Sequence, residues 1–200
     1  MAAIRHRHFR SNVSGRATRF IQMESSVPRL ELVELGPLTE HGWEDLRAGE
    51  RDPFGAVGAR LTWRPKDRHM ALRAPDGRLV AAAGALVADV EVGGSERFQV
   101  VGVGSVIVTR SLRGGGLVSK VVDPLLRLAE RMGPDRAMLF CRPELVSLYR
   151  RFGFGEIAAP VWADQPDGRI EMPMAAMWRR LRLRVGPWPP GRVDVLGLPF

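Results

Sequence analysis

The stretch from Val106 to Ser119 reads Val-Ile-Val-Thr-Arg-Ser-Leu-Arg-Gly-Gly-Gly-Leu-Val-Ser and carries the clearest chemistry in the chain. A β-branched strand ends at Val108, three glycines follow at Gly114, Gly115 and Gly116, and apolar residues then recur at helical spacing. Glycines remove the Cβ atoms that keep a ligand off the main chain. A helix starting there turns its free N–H groups and positive dipole end toward the turn. An anion is the natural guest, and a pyrophosphate fits. The alternative is a flexible glycine turn that only joins two elements.

Other reactive side chains are few. Tyr149 is the only tyrosine and Cys141 the only cysteine. A nucleophilic thiol at Cys141 would need a base such as His69 or His41; a small buried residue is the simpler reading. The four histidines show no metal-ligand spacing with cysteine or carboxylates, so no metal is expected.

The elements that must position these residues follow from periodicity and punctuation. Residues 29–35 alternate as a first strand, and Thr39 caps a helix over residues 40–48. Residues 49–67 read as a loop, with a short helix around 59–63. Strands are expected at 68–73, 78–92 (bulged or bent near Gly84) and 97–108, the last two joined by the Gly93-Gly94 turn. The helix after the glycine loop contains Pro124, which predicts a kink. A buried strand at 136–141 leads into a helix opened by Pro143 and stopped by Gly153. Residues 154–157 and 169–177 read as final strands, and the apolar segment 186–200 as one packed on the body. This order predicts an α/β (α+β) layer architecture, a mixed sheet with helices on its faces.

Composition bounds the function. The net charge is +8, but Arg5, Arg7, Arg10, Arg16 and Arg19 supply five of those charges without a nearby acid. Residues 1–25 therefore read as a basic disordered arm and residues 26–200 as a single domain. Only Phe9 and Phe20 in the arm are available to stack bases, so nucleic acid is not an expected partner. No apolar run spans a bilayer and no secretory leader is visible, so neither a membrane nor export is expected and the cytoplasm is the default location.

Two motifs carry a family resemblance. Arg113-Gly114-Gly115-Gly116-Leu117-Val118 is similar to the Arg/Gln-x-x-Gly-x-Gly/Ala loop of the GNAT superfamily of acetyl-CoA-dependent N-acetyltransferases, with Val118 at its last small position. Ser147-Leu148-Tyr149-Arg150-Arg151-Phe152-Gly153-Phe154 resembles that superfamily's later helix, with a tyrosine near its end and Gly-Phe beyond. The element order agrees over roughly residues 28–180. Within the superfamily, residues 111–126 look most like the aminoglycoside 2′-N-acetyltransferase branch. The fourth-strand glutamate of that branch falls on Gly104.

The resemblance implies a mostly antiparallel sheet with helices on both faces and a splayed strand pair holding acetyl-CoA. It implies that Arg113, Gly114, Gly115, Gly116, Leu117, Val118 and Ser119 hold the pyrophosphate. Val106, Ile107 and Val108 would line the pantetheine arm, and Tyr149 would protonate the CoA thiolate. On the acceptor side it points to Gly104, Ser105, Asp164 and Phe200. Trp43, Trp63 and Trp162 are amphipathic candidates for cleft walls, with core packing the simpler role for any one of them. The general base stays open among Ser105, a water relay, a carboxylate between Glu40 and Asp52, Asp164 or Asp167, and a terminal carboxylate at Phe200. The implied activity is acetyl transfer to a primary amine of a small molecule, with an aminoglycoside or aminosugar antibiotic among the acceptors. A protein or peptide acceptor and a catalytically weak acyl-CoA-binding module are the alternatives. A homodimer is an allowed assembly.

Overall fold

The computed structural model describes residues 29–200, so the expected arm over residues 1–25 lies outside the described residues. In chain order the strands and helices are β1 (Glu31–Leu35), α1 (Glu40–Arg47), α2 (Gly55–Ala59), β2 (Arg68–Arg73), β3 (Leu79–Val92) and β4 (Glu96–Val108). Then come α3 (Leu117–Ala129), β5 (Arg136–Cys141), α4 (Val146–Arg150), β6 (Gly155–Glu156), β7 (Val161–Gln165), β8 (Gly168–Glu171), β9 (Ala175–Arg180) and β10 (Val193–Val195). Single 3₁₀ turns precede α3 and α4.

The strands form one sheet in the order β6-β9-β5-β4-β3-β10-β7-β8, with β2 on the first half of β3 and β1 on β2. Among the pairings, β4 with β5 and β10 with β7 are parallel and the others antiparallel. This is the expected α/β architecture. It is built around β3, whose run Leu-Val-Ala-Ala-Ala-Gly-Ala-Leu-Val lacks polar alternation because both faces are covered. Ala81, Ala83 and Ala85 pack in the cluster of Val121 and Leu125 from α3, while Ala82 packs with Leu46 of α1. Alanines at alternate positions let a helix approach each face.

Helix α1 starts as expected: the Thr39 hydroxyl accepts from Gly42 N at 3.2 Å. Helix α3 runs continuously through Pro124, which is buried and cannot donate to the Lys120 carbonyl. Its Val121, Val122, Leu125 and Leu128 are buried, each contributing roughly 1.5–3 kcal/mol of transfer free energy.

Three expectations are corrected. The short helix expected around residues 59–63 lies at Gly55–Ala59, after Pro53 and Phe54. The strand expected at 169–177 is two strands, β8 and β9, broken at Met172-Pro173-Met174, because proline cannot continue the ladder. The segment after Gly186 is more than a packed tail: β10 inserts into the sheet, pairing Val193 with Val92 on one side and Val161 on the other.

Candidate active site

The central geometric feature is a parting of strands. Strands β4 and β5 pair only through Val101–Ala137, Gly102–Met138 and Val103–Leu139. Beyond that ladder β4 runs on to Val108 and β5 to Cys141. A bulge in β4 accompanies the split. Ala82 pairs with Ile107 but Gly84 with Gly104, so β4 carries one extra residue, and Ser105 takes φ +52°. The main chain of Gly104, Ser105, Val106, Ile107 and Val108 thus borders a cleft of about 1030 Å³ that faces Phe140 and Cys141. Main-chain groups freed from a ladder are donors and acceptors for an extended guest.

One end of this cleft leads to the glycine loop. Gly114 (φ +85°) and Gly116 (φ +72°) take left-handed conformations that side chains resist, and no atom lies within 4 Å of a Cβ built on either. Gly116 is the N-cap of α3, and no side chain caps that helix. The first N–H groups of the helix are therefore left to a guest. Arg113 and Val118 line the cleft, whereas Gly114, Gly115, Gly116, Leu117 and Ser119 are not part of its wall.

Arg113 is not a free cation. Its Nε donates to the Val108 carbonyl (3.1 Å), and both terminal nitrogens grip the Glu50 carboxylate. That grip holds the Glu50 carboxyl below its ordinary pKa. A fork on a carboxylate has much of its charge already answered, so an anion at the loop depends on the main-chain N–H groups.

Tyr149 lies on α4, 6 % exposed, and lines the cleft. Burial pushes its phenol above the ordinary value of 10.0, with Arg142 opposing, so it stays protonated. Cys141 is buried, its Sγ lies 3.8 Å from Met177 Sδ, and burial raises its thiol to about 11. That describes an unreactive packed thiol. Among the described residues no group of His, Cys, Asp or Glu side chains is arranged to hold a metal ion.

The opposite wall explains Gly104. A Cβ there would lie 2.8 Å from Lys66 Cε, 3.2 Å from Lys66 Nζ and 3.2 Å from the main-chain carboxyl carbon of Phe200. The space that a side chain at position 104 would take is filled by Lys66. Phe200 is 2 % exposed and its ring packs on Phe140, 5.4 Å between centroids. That ring would stand 2.5 Å from a Cβ on Gly102. We therefore expect Gly102→Ala to displace Phe200 and to cost about 1–3 kcal/mol by overpacking. Thermal unfolding measures the loss, and an unchanged melting temperature would contradict this packing.

Trp43 and Trp63 line the cleft, joined by residues 49–54 beyond α1. Three other expected residues do not. Asp164 sits on β7 beside Arg169 (3.9 Å), and Asp167 lies in the β7–β8 turn. Trp162 carries Arg192 over its ring at 5.5 Å. Strand β7 pairs with β10 and β8, away from the β4–β5 opening, so these side chains do not reach the acceptor space.

Lys66 sits in an aperiodic loop, where no periodicity marks a site residue. One signal was there: only two of the thirty basic residues are lysine, Lys66 and Lys120.

Comparison with known proteins gives the same assignment. A family model described as an acetyltransferase (GNAT) domain matches residues 53–157, more than half of the chain. No curated protein matches it. Among solved structures, a GNAT family N-acetyltransferase from Escherichia coli in complex with CoA is 21% identical, with 86% of this chain and 97% of that chain covered at a TM-score of 0.54. An acyl-CoA N-acyltransferase from Pseudomonas aeruginosa is 22% identical, covering 75% and 99% at a TM-score of 0.50. An acetyltransferase of the GNAT family from Staphylococcus aureus is 11% identical, covering 76% and 100% at 0.50. At these identities the structures share a fold. The family match reaches further, and this chain belongs to the GNAT acetyltransferase family.

Proposed function

We propose that this chain transfers the acetyl group of acetyl-CoA to a primary amine of a small molecule. The observation that carries the reading is the opening between β4 and β5, which has a glycine loop and an uncapped helix N-terminus at one end and Tyr149 in its wall. The Escherichia coli relative was solved with CoA, which supports the same guest here.

Acetyl-CoA supplies the activated thioester. The N–H groups of Gly114 to Ser119 receive its pyrophosphate. The main chain of Val106, Ile107 and Val108 pairs with the pantetheine amides like an added strand, and a free N–H at the bulge faces the developing oxyanion. The acceptor nitrogen attacks the carbonyl carbon and the C–S bond breaks. Tyr149 Oη gives its proton to the leaving sulfur, and the phenolate regains one from water. No side-chain carboxylate stands at Gly104, so the amine proton leaves through water or to the carboxyl group of Phe200, whose carbon lies 3.2 Å from a Cβ built there.

The motif resemblance is what supports an aminoglycoside as acceptor. The Lys66 ammonium at Gly104 works against a polycationic one, so a less cationic amine is the better fit. A panel of small amines, aminoglycosides and peptides, assayed for thiol release from acetyl-CoA, tests the reading. Turnover with small amines is expected. Turnover confined to peptides would shift the acceptor class, and tight binding without turnover would make the domain an acyl-CoA-binding module.

A further inference from the structure

The segment after α1 crosses the mouth of the cleft. Ala48 (φ +46°) and Gly49 (φ +80°) are both left-handed, so the chain reverses as the helix ends. Residues 49–54 then line the cleft. The backbone hydrogen bonds of this strap are local: Glu50 N donates to the Arg47 carbonyl (2.9 Å) and Gly55 N to the Asp52 carbonyl (3.0 Å). Neither bond ties the strap to the sheet, so its position depends on side chains.

Two arginines from opposite walls hold it. Beyond β4, Arg113 Nε donates to the Val108 carbonyl (3.1 Å), and Nη1 and Nη2 fork onto the Glu50 carboxylate. Beyond β5, Arg142 lies against Gly55: a Cβ built on that glycine would stand 3.2 Å from both Cδ and Nη1 of Arg142. The strap is thus fixed at its start to the β4 side and rests at its end on the β5 side. Between these points it carries Phe54, 36 % exposed and edge-on to Trp43 at 6.3 Å. Both rings line the cleft. A planar fork on a carboxylate sets orientation as well as distance, so the Arg113–Glu50 pair fixes how the strap presents this aromatic corner.

We propose that Arg113 and Glu50 are positioning residues for the acceptor: their ion pair holds the strap, and with it the Trp43–Phe54 corner, against which the amine substrate is received. The inference rests on the transferase reading. It gives the arginine of the glycine-loop motif a task on the acceptor side, while the main-chain N–H groups of the loop keep the pyrophosphate. Losing the pair acts through the strap, so it changes acceptor binding before it changes cofactor binding.

The test measures KM for the amine and for acetyl-CoA separately in Glu50→Gln, Arg113→Ala and the double variant, with the small amine that the wild type turns over fastest. Each single substitution should raise the amine KM about threefold to tenfold and leave the acetyl-CoA KM within about twofold. The double variant should be no worse than the worse single, because either substitution removes the same pair. Amide hydrogen exchange should rise at residues 50–54 in both singles and stay unchanged at the start of α3. Should Arg113→Ala fail to fold, Arg113→Lys takes its place: it keeps the charge without the fork and should raise the amine KM by a smaller factor than Glu50→Gln. A rise confined to the acetyl-CoA KM, effects that multiply in the double variant, or an amine KM that moves in none of them would overturn the proposal while leaving the transferase standing. No thiol release with any amine, despite acetyl-CoA binding, would remove the transferase reading and this proposal with it.

Discussion

Replacing Tyr149 by phenylalanine is expected to lower kcat about a hundredfold, the lower end of what a positioned general acid contributes. The KM for acetyl-CoA should hardly move, because the ring that packs edge-on against Phe154 at 6.2 Å is kept. Stability should change by less than about 1 kcal/mol, since among the described residues no hydrogen bond holds the hydroxyl in place. Ionisation of the same tyrosine leaves the kcat profile flat to high pH. Its phenol is held above 10.0 by burial, so kcat should show no fall from phenol ionisation up to that pH. Steady-state kinetics across pH on the two proteins check both statements. A Tyr149→Phe enzyme with wild-type kcat would leave the leaving thiolate to be protonated by water.

Gly116→Val is expected to raise the KM for acetyl-CoA by about tenfold or more, through the loss of charge-assisted main-chain contacts. The φ of +72° is left-handed, and a β-branched side chain there costs about 1–2 kcal/mol in backbone strain alone. The helix N-terminus relaxes away from that strain, and its N–H groups no longer converge. Arg113→Ala should do less, because the guanidinium already answers Glu50. That order of effects distinguishes binding by main-chain dipoles from binding by a side-chain charge.

Much of this was legible in the sequence where the signal is local. Strands β3 and β4 announced themselves by β-branched and apolar runs around a Gly-Gly turn, and the Thr39 cap by its hydroxyl ahead of an acidic first turn. The glycine loop was legible because its chemistry lies in consecutive residues. What stayed hidden depends on contacts between distant segments. Arg113 and Glu50 are 63 residues apart, and nothing near either one marks the other. Lys66 reaches Gly104 only because β2 and β3 fold that loop over the bulge. Strand β10 is three residues in a proline- and glycine-rich stretch, and only the exposed edges of β3 and β7 make it a strand. Gly104, read from sequence as a missing carboxylate, is in the structure the space into which a cation fits.

The most direct test of the central claim is a calorimetric titration of acetyl-CoA into the wild-type protein and into Gly116→Val. Binding of one acetyl-CoA per chain, displaced by CoA and weakened about tenfold or more by the substitution, is the predicted result. Binding that ignores Gly116, or no binding by a folded wild-type chain, would contradict the assignment of the β4–β5 cleft and its glycine loop to this cofactor.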